Sequence, residues 1–211
     1  MNDQPHWGVV LASASPARKR LLKAAGITPT IVVSGVDEDA VVAGLSDRSP
    51  TASCLALARS KAAAVAPELA GQSVVIIGAD SILDVDGQSF GKPATSEIAR
   101  SRLVFLAGRS AWLRTGHCVI RASDGAANSE VVTTKVRFGK WSPAELDWYL
   151  TSGESQTVAG GFTLDGLSAP FMAGVQGDPG NVIGLSLPCI RRQLQALGIT
   201  WPQLHSQPSV K

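Results

Sequence analysis

The chain has 211 residues, 45% of them hydrophobic and 17% charged, which suits a globular protein with a substantial core and excludes long disordered stretches. Nineteen Lys and Arg against 17 Asp and Glu leave a formal charge of +2, so no nucleic-acid polymer is an expected partner. No apolar run approaches the roughly 20 residues that span a bilayer, and Met1 to Pro5 lack the basic and apolar regions of a secretory signal. Cys54, Cys118 and Cys189 are far apart and odd in number, which argues against a disulfide framework and for a reducing cytoplasm.

In chain order, an apolar strand over 9–12 leads through Ser13 and Ser15 into a helix over 16–25. Ser15 suits the cap, Pro16 the first helical position and Gly26 the stop. A strand over 30–33 follows, then the acidic triplet Asp37-Glu38-Asp39, whose charge density reads as solvated loop. A helix capped by Ser49 runs from Pro50 to about Ala66, where Pro67 ends it. Residues 73–77 form the continuous apolar run of a central strand. Another helix spans about 96–107, and two β-rich segments, 117–121 and 130–138, flank a loop to make an antiparallel hairpin. Ser142 and Glu145 have the spacing of a capping box at the start of a helix that stops before Gly153. A last helix begins near Pro188 and ends at Gly198, and residues 206–211 read as a loose tail. The alternation of strands and helices, without linker or repeat, implies one α/β unit over 1–211. Its mixed sheet is flanked by helices, and two interwoven lobes enclose a cleft.

The helix start at Pro16 can hold an anion, because its first N–H groups lack helical partners and Arg18 stands beside them. Asp80 follows the apolar run 73–77, where α/β proteins place ligands past a strand's carboxyl end. It reads either as a catalytic carboxylate or as a turn cap. Glu38 is a second oxygen donor that could join Asp80 on Mg²⁺ or Mn²⁺, or merely a solvated charge. Lys61 lies at the edge of an apolar helix face, as a snorkelling side chain or a directed cation. Lys92, between Gly91 and Pro93, is a cation in a stiff loop. His6, His117 and His205 are scattered and receive no role. Asp84 and Asp86 rank below Asp80, since Asp86-Gly87 reads as a turn.

Taken together, Leu11-Ala12-Ser13-Ala14-Ser15-Pro16-Ala17-Arg18, Asp37-Glu38, Ser60-Lys61-Ala62, Gly78-Ala79-Asp80-Ser81, Gly91-Lys92-Pro93, Ala159-Gly160-Gly161-Phe162 and Asn181-Val182-Ile183-Gly184-Leu185 resemble the Maf family of nucleotide pyrophosphatases. The resemblance implies a fold like that of inosine triphosphate pyrophosphatases, a homodimer, a divalent metal and cleavage of a nucleoside triphosphate to monophosphate and pyrophosphate. It also implies links to nucleotide-pool housecleaning and to arrest of septum formation. Within it, Asp80 matches the catalytic carboxylate, Glu38 the metal-side acid, and Ser13, Arg18, Lys61 and Lys92 the phosphate-facing groups. Ala17, Ser81 and Asp165 occupy the base-reading positions. There the branch resembling thymidine and uridine triphosphate pyrophosphatases has Arg, Thr and Gln, and the branch acting on 7-methylguanosine triphosphate has Trp, Gln and Glu. Neither set is present, so the base stays unassigned. A nucleotide-binding regulator of cell division with little turnover is the alternative.

Overall fold

The computed structural model describes residues 6–205. The central apolar run extends well past its predicted end. Strand β1 (Gly8–Leu11) lies parallel to both β2 (Thr30–Ile31) and β3 (Val74–Val85). The hairpin of β5 (Ser110–Arg121) and β6 (Ala127–Phe138) then adds antiparallel to β3, and β7 (Met172–Gln176) closes the far edge against β6. The order is β2-β1-β3-β5-β6-β7, with the short β4 (Gln88–Phe90) hairpinned onto the end of β3. The sheet is therefore mixed, and helices flank it in an α/β arrangement. Hairpin strands of 12 residues replace the shorter segments expected, because Trp112 to Gly116 continue the ladder with β3 and β6.

Helices α1 (Pro16–Ala24) and α3 (Pro50–Val65) start on the predicted caps, Ser15 and Ser49, each followed by proline. The acidic triplet is a correction: Asp37 caps a short helix, α2 (Glu38–Ala43), by accepting from the Ala40 N–H at 3.0 Å. Carboxylates near a helix start are stabilised by the dipole, so charge density there does not imply loop. Helices α4 (Ser96–Leu106) and α5 (Pro143–Thr151) follow prediction, and the Ser142–Glu145 capping box forms in both directions. The glycine-rich stretch around Pro179 gives the short α6 (Pro179–Ile183), capped by Asp178. Helix α7 (Leu187–Ala196) opens on Ser186. The tail at 206–211 lies outside the described residues.

Apolar packing divides along the long strands. Val9, Leu11, Leu22, Ile77, Val119, Ile190 and Leu194 pack between one sheet face and α1 and α7. Val10, Ala12, Ala58, Ala62 and Ile76 pack between the other face and α3. Beyond the end of β1 a second body of core gathers Leu83, Leu103, Leu113, Phe138, Tyr149 and Phe162 under α4 and α5. Strands β3 and β5 run through both regions of core. Glycine lets α3 lie unusually close: a Cβ at Gly78 would stand 2.3 Å from the Ala58 carbonyl oxygen, and one at Gly116 2.2 Å from that of Cys54. Backbone cannot yield to such overlap.

His117 is fully buried on β5, and its Nε2 accepts the Ser186 N–H at 2.9 Å, tying the start of α7 to the sheet. The neutral ring then carries its proton on Nδ1. Burial, aided by the Arg18 charge, lowers the His117 pKa to about 4 from the ordinary 6.5. Between those values the unfolded chain takes up a proton that the folded protein refuses. The stability His117 confers is therefore complete above about pH 6.5 and is lost as pH falls toward 4, to the extent of about 3 kcal/mol. Urea melts of the wild type and of His117→Gln at pH 7.5, 5.5 and 4.5 read this. The wild type should lose more stability on acidification than the variant, and equal losses would exclude His117 as the titrating group.

Candidate functional site

The site forms where β1 stops and β3 continues. The Ala12 N–H still reaches the Ile77 carbonyl at 2.9 Å, after which the first chain turns away through Ser13 to the cap of α1. Residues 78–81 of β3 keep their ladder with β5 on one side only, where Asp80 pairs with Gly116 and Ser81 with Thr115. Asp80 thus lies within a strand rather than beyond its end. The terminus that places it is that of β1. Because side chains alternate along a strand, Asp80 and Ser81 address opposite faces of this open edge.

On the α3 face, the Lys61 ammonium donates to Asp80 Oδ1 at 2.6 Å and pairs with Glu38 Oε1 at 2.7 Å. Lys61 does not snorkel. It sits in the stripe of Cys54, Leu57, Ala58, Ala62 and Val65 that α3 buries, and is only 8% exposed. Glu38 remains largely exposed at the start of α2. Burial pushes the Asp80 carboxyl above the ordinary aspartate range, while Lys61 and then Arg18 pull it back.

On the other face Arg18 is held by neutral acceptors. Its Nε donates to the Gly184 carbonyl at 2.8 Å, Nη1 to Ser13 Oγ at 3.0 Å and Nη2 to Ser81 Oγ at 3.1 Å. Ser81 in turn meets Thr115 Oγ1 at 3.0 Å, and the Thr115 hydroxyl reaches the Asn181 carbonyl at 3.0 Å. A guanidinium has five N–H donors, so part of its fork stays available. Burial lowers the Arg18 pKa, opposed by the negative charges of Asp80 and then Glu38.

The remaining predicted residues are more dispersed. Lys92 is exposed, and its loop is pinned because the Gly91 carbonyl accepts from the Gly160 N–H at 3.2 Å and from Arg102 at 2.8 Å. Asp165 is bound by Arg20 of α1 at 2.7 Å rather than joined to Asp80, and Ala17 is half-buried one turn before Arg20. Arg20, Thr115 and Asn181 escaped the residue-by-residue reading. Only their long-range partners single them out, although Asn181 opens one of the family-like motifs. A groove of about 450 Å³ beside Ala63, Ala66, Pro67, Ile120 and Ala122 holds none of these side chains, so the chemistry lies elsewhere.

Among the described residues no group of three or more His, Cys, Asp or Glu gathers around one point. Asp80 and Glu38 nevertheless converge on a single cation, the Lys61 ammonium, and are hard oxygen donors. Two carboxylates, with phosphate oxygens and water completing the shell, are what Mg²⁺ or Mn²⁺ accepts at a phosphate site. The donor set fits such an ion. No helix among the described residues is long and apolar enough to cross a membrane.

Comparison with known proteins agrees with this arrangement. The sequence profile described as Maf-like protein matches residues 8–197. A nucleoside triphosphate pyrophosphatase of Nocardia farcinica is 52% identical over 208 residues, covering 95% of this chain and 98% of that protein. Proteins of the same name from Streptomyces avermitilis and Streptomyces coelicolor are 48% and 50% identical. Alignment covers 97% of both chains for the first and 94% of both for the second. With the match running from β1 through α7 and relatives about half identical along nearly their whole length, the chain belongs to the Maf-like protein family.

Proposed function

We propose that the chain is a nucleoside triphosphate pyrophosphatase, hydrolysing the α–β phosphoanhydride of an NTP or dNTP to nucleoside monophosphate and pyrophosphate. The observation that carries this reading is the buried Asp80 on an open strand edge, with Lys61, Glu38 and Arg18 around it. The family membership and the name shared by the relatives support the same reaction.

Asp80 is the general base. Its desolvated carboxylate orients a water toward the α-phosphorus and takes that water's proton as the bond to the bridging oxygen breaks. Asp80 and Glu38 would hold a divalent cation, which when bound supplies charge neutralisation for the phosphate chain. Arg18, fixed by Ser13, Ser81 and Gly184, offers its free N–H donors to a phosphate as a planar fork. Lys92 reaches the departing pyrophosphate as a point charge from its pinned loop. The opposed lobes exclude water from the α-phosphorus apart from the one that attacks.

Ala17, Ser81 and Asp165 border the base. Ser81 is already committed to Arg18 and Thr115, and Asp165 to Arg20, and with neither branch's set of three present the base stays unassigned. The reaction takes place in the cytoplasm as nucleotide-pool housecleaning, a setting that suits the three buried free thiols. The chain acts as one unit of two interwoven lobes and pairs as a homodimer. That pairing is supported by the large apolar side chains left exposed on α4 and α5, Val104, Phe105 and Trp148.

Pyrophosphate release from a panel of ordinary and modified nucleoside triphosphates should appear with Mg²⁺ or Mn²⁺ and vanish with chelator. Release of inorganic phosphate alone would overturn the reaction. Tight binding with no release would favour a regulator of cell division. Asp80→Asn should keep nucleotide binding and lower kcat by about 10²–10⁴-fold, as loss of a general base does, and an unchanged kcat would remove Asp80 from the mechanism. Light scattering at micromolar concentration should give twice the chain mass, whereas a monomer would refute the pairing.

A further inference from the structure

Lys61 stands where the divalent cation would have to be. Its Nζ lies 2.6 Å from Asp80 Oδ1 and 2.7 Å from Glu38 Oε1, so the two carboxylates that could hold a metal already share one positive charge. Mg²⁺ needs such oxygens at about 2.1 Å. An ammonium and a dication cannot both occupy that space, because at this separation they repel and the burial of Lys61 and Asp80 leaves little water there to screen them. Both carboxylates are offered from fixed backbone, Asp80 by its ladder to Gly116 within β3 and Glu38 at the first position of α2.

The two buried cations are held differently. Arg18 is locked by three neutral acceptors on two loops and a strand, and none of them is offered to a metal. Among the described residues Lys61 has only the two carboxylates as ion-pair partners, on a flexible four-carbon stem. Its third N–H remains unused by them. A cation that spares two close carboxylates their repulsion, and can leave them, is a placeholder.

We propose that Lys61 occupies the metal position in the free protein and is displaced from Asp80 and Glu38 when the divalent cation binds, becoming available to the phosphate chain that arrives with it. This rests on the reading of Asp80 and Glu38 as the metal-side pair. No bond to carbon, oxygen or phosphorus changes in the step. One ion pair is exchanged for another, and the ammonium keeps its protons. The metal is thereby discouraged from binding before the triphosphate, since in the free protein it must evict Lys61 into a cleft holding no phosphate.

Manganese binding to the nucleotide-free protein tests the competition directly. Removing the ammonium in Lys61→Met should tighten Mn²⁺ binding at least about ten-fold, the consequence expected when a unit charge leaves a carboxylate pair of which one member, Asp80, is buried. Lys61→Gln should follow it, and thermal melts establish that both variants fold. In the wild type, the ion-paired ammonium resonance of Lys61 can be assigned by NMR from its absence in Lys61→Gln. It should move or vanish as Mg²⁺ is titrated to saturation. Equal Mn²⁺ affinity in wild type and both variants overturns the proposal, and so does a Lys61 resonance unchanged at Mg²⁺ saturation. Failure of the pyrophosphatase reading would show separately, as no pyrophosphate release by the wild type, and these titrations do not depend on turnover.

Discussion

The constraint on which the site depends is the close seating of α3 on the sheet. Gly78 and Gly116 present bare backbone to the carbonyls of Ala58 and Cys54, and any side chain there would lift the helix. That seating brings Lys61, within an otherwise apolar stripe, onto Asp80. An unpaired ammonium among those neighbours would cost several kcal/mol, and so would an unpaired carboxylate in β3. Each charge is tolerated because the other is there. The pair is therefore as much a requirement of the packing as a feature of the chemistry.

The sheet supplies a second condition. A strand flanked on both sides has no room for a ligand at its backbone edge, but β1 ends after Leu11 whereas β3 runs to Val85. The exposed edge then shows Asp80 to one layer of helices and Ser81 to the other. Arg18 arrives from the far layer and is fixed through Ser81, Thr115 and Asn181, a chain of neutral hydrogen bonds. A charge satisfied by neutral acceptors can be strongly held without being neutralised. Arg18 thus keeps its positive field, while Lys61 spends its own on the carboxylates.

The polar interior around α6 and α7 extends the same economy. His117 remains neutral because it is buried and lies near Arg18, and Asn181 donates to the carbonyls of Leu113 and Val132 and to Thr134. These bonds bind the segment from Asp178 to Ser186 to the hairpin. Gly184, within that segment, supplies the carbonyl that orients Arg18. Positioning of Arg18 is thereby coupled to the packing of the segment from Asp178 to Ser186.

Local chemistry made much of the fold legible. Ser15, Ser49 and Ser142 announced helix starts because capping needs only a few neighbouring residues, and the run at 73–77 announced a buried strand because apolar continuity survives any tertiary context. The order of the motifs also pointed to the family and to Asp80, Glu38, Ser13, Arg18, Lys61 and Lys92. Periodicity was silent where the deciding contacts are distant. Glu38 read as loop because its helix is short and capped by an acid, and Lys61 read as a snorkelling edge residue because nothing nearby reveals a carboxylate 19 positions on. Propensity, capping and hydrophobic pattern, all legible in the chain, were enough to mark the longer helices and the central strand but not the short α2. Only the tertiary structure decided that Lys61 pairs with two acids, that Arg18 pairs with none directly, and that Arg20 claims Asp165, since ion pairing depends on which chain ends and crossings meet in space.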